Sequence, residues 1–376
     1  MQPGPKPGGI AMEPRVLAGS VVVLRLFDVA YGIDLRRAET IKPAGAPAGR
    51  ARLARTSPKA VAFGEPPLEL SLGTAEVRTA AGTLAAEATA RAYDFGAISI
   101  ALRIPVADAS WTELVDLVIA ADRALQSDGP DVWREQLDRV RSLIGPALLR
   151  PAATAPVEDY LITTVRGFDR DVAPAEVLRT FDLPALLSRD RQPLSEGAKR
   201  ELLRHQFSYY TADLAVITWD HAFLLEPAGD TDVADVLEVA NAQLLEMRYY
   251  DELLDAELPR MYERVEQARR GFWIWRARTA GLARELYRLV AEVTEITERI
   301  ENALIVTEDV YLARIYGTAI EQFRLHSWNA AVDRKLAIIR DTYQALYDEA
   351  ATARAEYLEA AIVALIVLEI VLAFVL

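Results

Sequence analysis

The sequence predicts an α+β protein: an amino-terminal mixed α+β domain, then long coiled-coil helices, then a carboxy-terminal transmembrane helix. Three observations carry this. All nineteen prolines lie at or before Pro259, and only Gly271, Gly281 and Gly317 follow it, so turn-forming residues crowd the first part. Beyond about residue 228, apolar residues recur at 4-3 spacing. From Ala360 to Leu376 the chain carries one charge, Glu369. The boundaries expected are a disordered 1–15, an α+β domain over 16–228 with a linker at 41–60, a coiled-coil region over 229–357 and a membrane helix over 358–376.

The elements follow in order. Ser20 to Ala30 reads as a strand, and Leu68 to Leu72 alternates as a half-exposed one. Leu84–Tyr93 and Ala97–Ile104 flank Asp94-Phe95-Gly96, which predicts a hairpin. Ser110-Trp-Thr-Glu113 is a capping box opening a helix to about Leu125, and a second helix runs from Asp131 to Ile144. Val157 to Val165 is strand-like. Ala175–Phe181 and Ser195–His205 are helical, and Tyr210–Trp219 with Ala222–Leu225 suggests another hairpin. Strands and helices mix without a βαβ rhythm, hence α+β.

Three seams follow. Leu237, Leu244, Leu254 and Met261 lie on the first, Leu282, Leu286, Val293, Ile296 and Ile300 on the second, and Val332, Ile339 and Leu346 on the third. They imply a helical hairpin or bundle, within one chain or between subunits. The third runs into the apolar tail. Seventeen residues of helix reach about 25 Å against a hydrocarbon core of roughly 30 Å, so the expected anchor is short. Glu369 inside it is expected to face the membrane or pair with another helix. Arg334, Lys335, Arg340 and Arg354 precede the tail and no basic residue follows it, which predicts a cytoplasmic amino terminus. No signal-peptide pattern opens the chain, so its bulk is expected in the cytoplasm.

Composition narrows the chemistry. The absence of cysteine removes disulfides, thiolate metal sites and cysteine nucleophiles. A formal net charge of −13 opposes a polyanionic partner unless basic residues cluster; Arg50, Arg52, Arg55 and Lys59 are such a stretch. Asp230, Asp232 and Asp235 lack the glycine and terminal glutamate of a calcium loop and read as helix-capping acids. Asp220 and His221 form an Asp-His pair at a strand end, a candidate site without an identifiable nucleophile. Phe272, Trp273 and Trp275, flanked by arginines, suggest a partner surface or a packed corner between helices. No phosphate-binding glycine loop, dinucleotide fingerprint or nucleophile elbow is present, and no catalytic residue, metal or cofactor is indicated.

Several stretches resemble the required-for-meiotic-nuclear-division (YagE-like) family: Tyr93–Ile100, Ser208–Asp220, Leu237–Asp251 and Arg354–Ile370, the last including the acid within the tail. At Glu359-Ala360 the chain departs from the family's usual acid-tryptophan pair. The resemblance implies an α+β domain, a coiled-coil region and a membrane helix, with relatives that support organelle translation, and it carries over no enzymatic residues.

The function expected is a membrane-tethered, non-enzymatic scaffold that forms homo-oligomers and presents its α+β domain to a cytoplasmic protein. The alternatives are an enzyme or ligand sensor, marked by a deep polar pocket near Asp220 and His221, and a ribosome- or RNA-tethering factor, marked by basic residues on one face.

Overall fold

The computed structural model describes residues 14–41, 48–50, 61–126, 131–151, 156–269, 275–306 and 310–375. β1 (Val16–Asp28) is a run of apolar and β-branched residues buried on both faces, the signature of a central strand. It leads through β2 (Ala30–Ile33) into α1 (Leu35–Ile41). β3 (Ala48–Arg50) and β4 (Val61–Phe63) are three-residue edges. β5 (Leu68–Thr79), β6 (Gly82–Ala92) and β7 (Ala97–Ala109) form an antiparallel meander.

The β6–β7 turn depends on Gly96. Its φ is +114°, and a Cβ there would overlap the Ala30 carbonyl. Val29 N–H also donates to the Gly96 carbonyl at 3.2 Å, so the turn docks on the end of β1. Gly96→Ala is therefore expected to destabilise the protein by roughly 2–3 kcal/mol, from strain and overlap together. Urea denaturation of the two proteins checks this; an unchanged midpoint would contradict it.

α2 (Trp111–Gln126) opens on a reciprocal box: Glu113 N–H donates to Ser110 Oγ at 3.2 Å, and Ser110 N–H to Glu113 Oε2 at 2.7 Å. α3 (Asp131–Ile144), β8 (Leu148–Pro151) and β9 (Val157–Phe168) follow. Next come α4 (Pro174–Thr180), α5 (Leu183–Ser188) and α6 (Glu196–Leu202); the last two are capped by Asp182 and Ser195. β10 (Gln206–Phe207), β11 (Leu214–Ile217) and β12 (His221–Leu225) precede α7 (Asp232–Arg269), α8 (Trp275–Glu301), β13 (Leu304–Val306), α9 (Tyr311–Gln322) and α10 (Leu325–Val375).

The chain divides into two compact units. The first, residues 1–246 with 300–325, holds a nine-stranded sheet of order β10-β11-β12-β9-β1-β7-β6-β5-β3. Its pairs are antiparallel except β12 with β9, so the sheet is mixed. One face, with Val21, Val23, Ile98, Ile100 and Leu102, shares a core with Trp111, Leu114, Val118, Trp133 and Leu137 of α2 and α3 and Leu183 and Leu186 of α5. The other face meets the first turns of α7, which are buried on nearly every side from Val233 to Glu246. Behind α7, Gln243 donates to the Ile300 carbonyl at 2.7 Å and accepts from Tyr316 of α9 at 2.8 Å. A helix so enclosed must satisfy every polar group it carries.

The second unit, residues 247–299 with 326–376, is helical. Tyr250, Leu254 and Met261 of α7, Leu282, Leu286, Val293 and Ile296 of α8, and Val332, Ile339 and Leu346 of α10 are buried. Lys335 bridges α10 to Asp251 and Asp255 of α7 at 2.6 Å each, Arg264 of α7 meets Glu285 of α8 at 2.7 Å, and the Tyr287 and Tyr343 rings join α8 to α10. Each large apolar side chain so buried contributes roughly 1.5–3 kcal/mol.

Three expectations are corrected or fall partly outside the described residues. Among the described residues no helix is long and apolar enough to cross a membrane, so the transmembrane helix, the tail anchor and the membrane localisation are not supported. The apolar stretch of α10 from 360 to 375 reaches roughly 24 Å of helix against about 30 Å of hydrocarbon, and Glu369 interrupts it. Phe272 and Trp273 lie outside the described residues; Trp275 opens α8, but its side chain lies outside them too. Within the stretch expected as a linker, β3 pairs with β5, while 42–47 and 51–60 lie outside the described residues.

Candidate functional site

Among the described residues, two polar hollows of the α+β unit lie on opposite aspects of the sheet. The first lies near Asp220. Chain alternation separates this residue from its neighbour, because Asp220 ends the β11–β12 turn and His221 begins a strand. His221 points into the core, fully buried, with Nε2 3.0 Å from Thr163 Oγ1. Burial, aided by Arg189, lowers its pKa to about 3, so it stays neutral and is poorly matched to acid–base work near neutrality. Asp220 turns to Arg189, which also pairs with Asp122 at 3.3 Å. Burial raises the Asp220 pKa, with Arg189 opposing. The two residues are therefore not a catalytic dyad.

The hollow beside Asp220 has a volume of about 410 Å³ and is lined by Arg25, Asp122, Asp159, Arg189 and the exposed Trp219 among others. Arg25 grips Asp159 through two hydrogen bonds, at 2.6 and 2.9 Å, and lies over the Trp133 ring. Its arginines are thus already matched by carboxylates.

The second hollow, about 280 Å³, lies between the sheet and the start of α7. Arg91 of β6 reaches Asp235 at 2.7 Å and Glu238 at 2.8 Å, and all three are largely buried. Burial works against the Arg91 charge, but Glu238 and Asp235 outweigh it and raise its pKa. Burial raises that of Glu238, against Arg91. Arg103 of β7 also lines this cleft and donates to Ser20 Oγ at 3.0 Å. Its pKa is lowered by burial and by the neighbouring Arg166 and Arg91, with Glu87 opposing. Arg166 of β9 stands exposed at the mouth, its guanidinium beside Gly229.

Farther along the same face, two carboxyl groups are buried with no cation partner among the described residues. Asp28 ends β1 and Glu246 lies on α7; one oxygen of Asp28 and both of Glu246 have no hydrogen-bond partner. Burial pushes the Asp28 pKa up to about 7 and that of Glu246 well above the usual carboxylate range, the latter helped by Asp28.

Among the described residues no group of three or more His, Asp or Glu could hold a metal ion. The acids at the start of α7 serve the helix and the sheet instead: Asp230 accepts from Asp232 N–H at 3.0 Å, and Asp235 accepts from Thr231 Oγ1 and pairs with Arg91. Arg50, part of the basic stretch, is spent on Glu39 and Glu65, while Arg52, Arg55 and Lys59 lie outside the described residues. Glu369 is exposed on α10 amid exposed apolar residues.

The arginines of the cleft and the Asp220–His221 pair went separate ways in the sequence. Asp220 and His221 stand together in the chain and act apart in space. Arg91, Arg103 and Arg166 are remote in the chain and meet at one cleft, a signal that only strand register supplies: Glu87 pairs with Arg103, and Val22 separates Arg103 from Ile162.

Residues 18–231 match the family described as "Uncharacterized protein MJ0711, N-terminal domain", a span that includes all three arginines and stops just short of α7. A curated relative, "Uncharacterized protein MJ0711" of Methanocaldococcus jannaschii, is 29% identical over 192 residues, or 51% of this chain. The aligned stretch spans 58% of that relative's length. No solved structure matches the chain significantly.

Proposed function

The chain belongs to the family of the uncharacterised MJ0711 N-terminal domain, and we propose that it is a non-enzymatic adaptor that self-associates through its helical unit and presents its α+β unit to a protein partner. One observation carries this reading. Between Ile362 and Leu372, nine large apolar side chains of α10 are each 49–64% exposed. They are nearly consecutive, so at about 100° per residue they cover every side of the helix. An apolar surface of that extent seeks a partner, and copies of the same helix supply a matching one. Glu369, set among them, would then hydrogen-bond across the helix pair.

The test is a chain ending at Glu359. It is expected to keep its circular dichroism and melting profile while its mass falls to that of a single chain. Retention of a multimer by the shortened chain would show that this stretch is not the association surface.

A second reading, a ligand sensor, is favoured by the cleft between the sheet and α7, where among the described residues Arg103 hydrogen-bonds only to the Ser20 hydroxyl. The readings are compatible: a ligand held on the α+β unit would set when the adaptor engages. Arg50, the one described residue of the basic stretch, is already ion-paired with Glu39 and Glu65 and so lends no support to the ribosome- or RNA-tethering alternative.

A further inference from the structure

We propose that the cleft bounded by Arg103 and Arg166 binds a small anion, a carboxylate or a phosphate group, carried by a ligand with hydrogen-bond donors at its other end. This deepens the ligand-sensor reading and rests on it, not on self-association.

The argument is one of unmet charge. Arg91 is fully occupied by Asp235 and Glu238. Arg103 is not: it is partly buried, its one hydrogen bond goes to the neutral Ser20 hydroxyl, and among the described residues no carboxylate lies within ion-pair distance. Glu87 stands opposite it in the strand register but is exposed and makes no ion pair with it. A guanidinium drawn out of water without a carboxylate is costly, and a second cation nearby adds to the cost. Arg166 is that second cation, and it too has no ion pair among the described residues. An anion between the two would receive charge-assisted hydrogen bonds from planar donors suited to bidentate contact with either carboxylate or phosphate.

The cleft's size agrees. At about 280 Å³ it suits a ligand of few heavy atoms, at the lower end of small-molecule sites. Its remaining wall holds Thr89, Thr164, Glu69 and Glu87, which accept hydrogen bonds and so favour amine or hydroxyl groups on the rest of the ligand. The carboxylates there are exposed or half-exposed, and among the described residues none makes an ion pair with Arg103.

Calorimetric titration of the full chain at constant ionic strength tests this, with inorganic phosphate, acetate and ethanolamine as separate probes. Saturable binding of phosphate or acetate is expected, weakened at least tenfold by Arg166→Gln and unchanged by Arg78→Gln, an exposed arginine away from the cleft. Phosphate alone would mark a phosphoryl ligand, acetate alone a carboxylate. Arg166 is exposed, so its replacement should leave the melting temperature unchanged, and equal melting of the variant keeps the comparison valid. Anion binding that survives Arg166→Gln overturns the proposal. If only ethanolamine binds, and Glu87→Gln abolishes it, the anion assignment fails while the sensor reading stands. If no probe binds, both fail.

Discussion

Arg91→Ala is expected to destabilise the α+β unit by about 3–5 kcal/mol, the range for removing one partner of a buried ion pair. The arginine lies on β6 with Asp235 and Glu238 of α7 around it, and both acids are almost wholly enclosed. Without it, two largely buried carboxylates lose the guanidinium they share. They must either stay charged at high cost or take up protons. The loss should therefore shrink as the pH falls. It should also shrink when the acids are neutralised, so Arg91→Ala with Asp235→Asn and Glu238→Gln should recover much of the stability. Urea denaturation of the single and triple variants at pH 7.5 measures this. A single variant with an unchanged midpoint would mean that the triad is solvated and does not tie α7 to the sheet.

Neutralising the other buried acids should act in the opposite direction. The Asp28 pKa lies near 7 in the folded chain and near the ordinary 3.8 when unfolded. Below about pH 4 both states hold the proton and the group has no net effect. Between about 4 and 7 only the folded state holds it, so stability falls as the pH rises. Above 7 the folded state carries a buried charge at full cost, about 4 kcal/mol for a pKa gap of roughly three between the folded and unfolded chain. Glu246 pulls the same way. Asp28→Asn keeps an oxygen for the Ala30 N–H and should raise the melting temperature at pH 8 while leaving it nearly unchanged at pH 4. A melting temperature that is equally insensitive to pH in both proteins would contradict this.

Much of the architecture is visible in local pattern. Leu68–Leu72 alternates because one face of β5 rests on the core, and the Asp94–Gly96 turn is marked by a glycine that φ of +114° demands. The Ser110–Glu113 box and the seams at Leu254, Leu286 and Val332 are equally local signals. What the pattern hides is non-local. Asp235, Glu238, Asn241, Gln243 and Glu246 look like the solvent side of a coiled coil, yet they are buried because the sheet lies on one side of α7 and residues 300–325 on the other. Arg91 meets its acids across some 144 positions of chain, which no periodicity reports. Proline content misleads for the same reason: it marks where turns are dense, while Pro259 itself lies inside α7. The tail misleads differently. Its apolarity is real and its side chains are exposed, but composition alone does not distinguish a membrane from a partner helix as the surface that covers them.

Self-association through the exposed apolar stretch of α10 is the claim on which the adaptor reading turns, and sedimentation equilibrium of the full chain over a hundredfold concentration range tests it most directly. A mass at least twice the 41.6 kDa of one chain at the higher concentrations, reduced to 41.6 kDa by Leu365→Asp with Leu368→Asp, is the expected result. A single-chain mass at every concentration would contradict it.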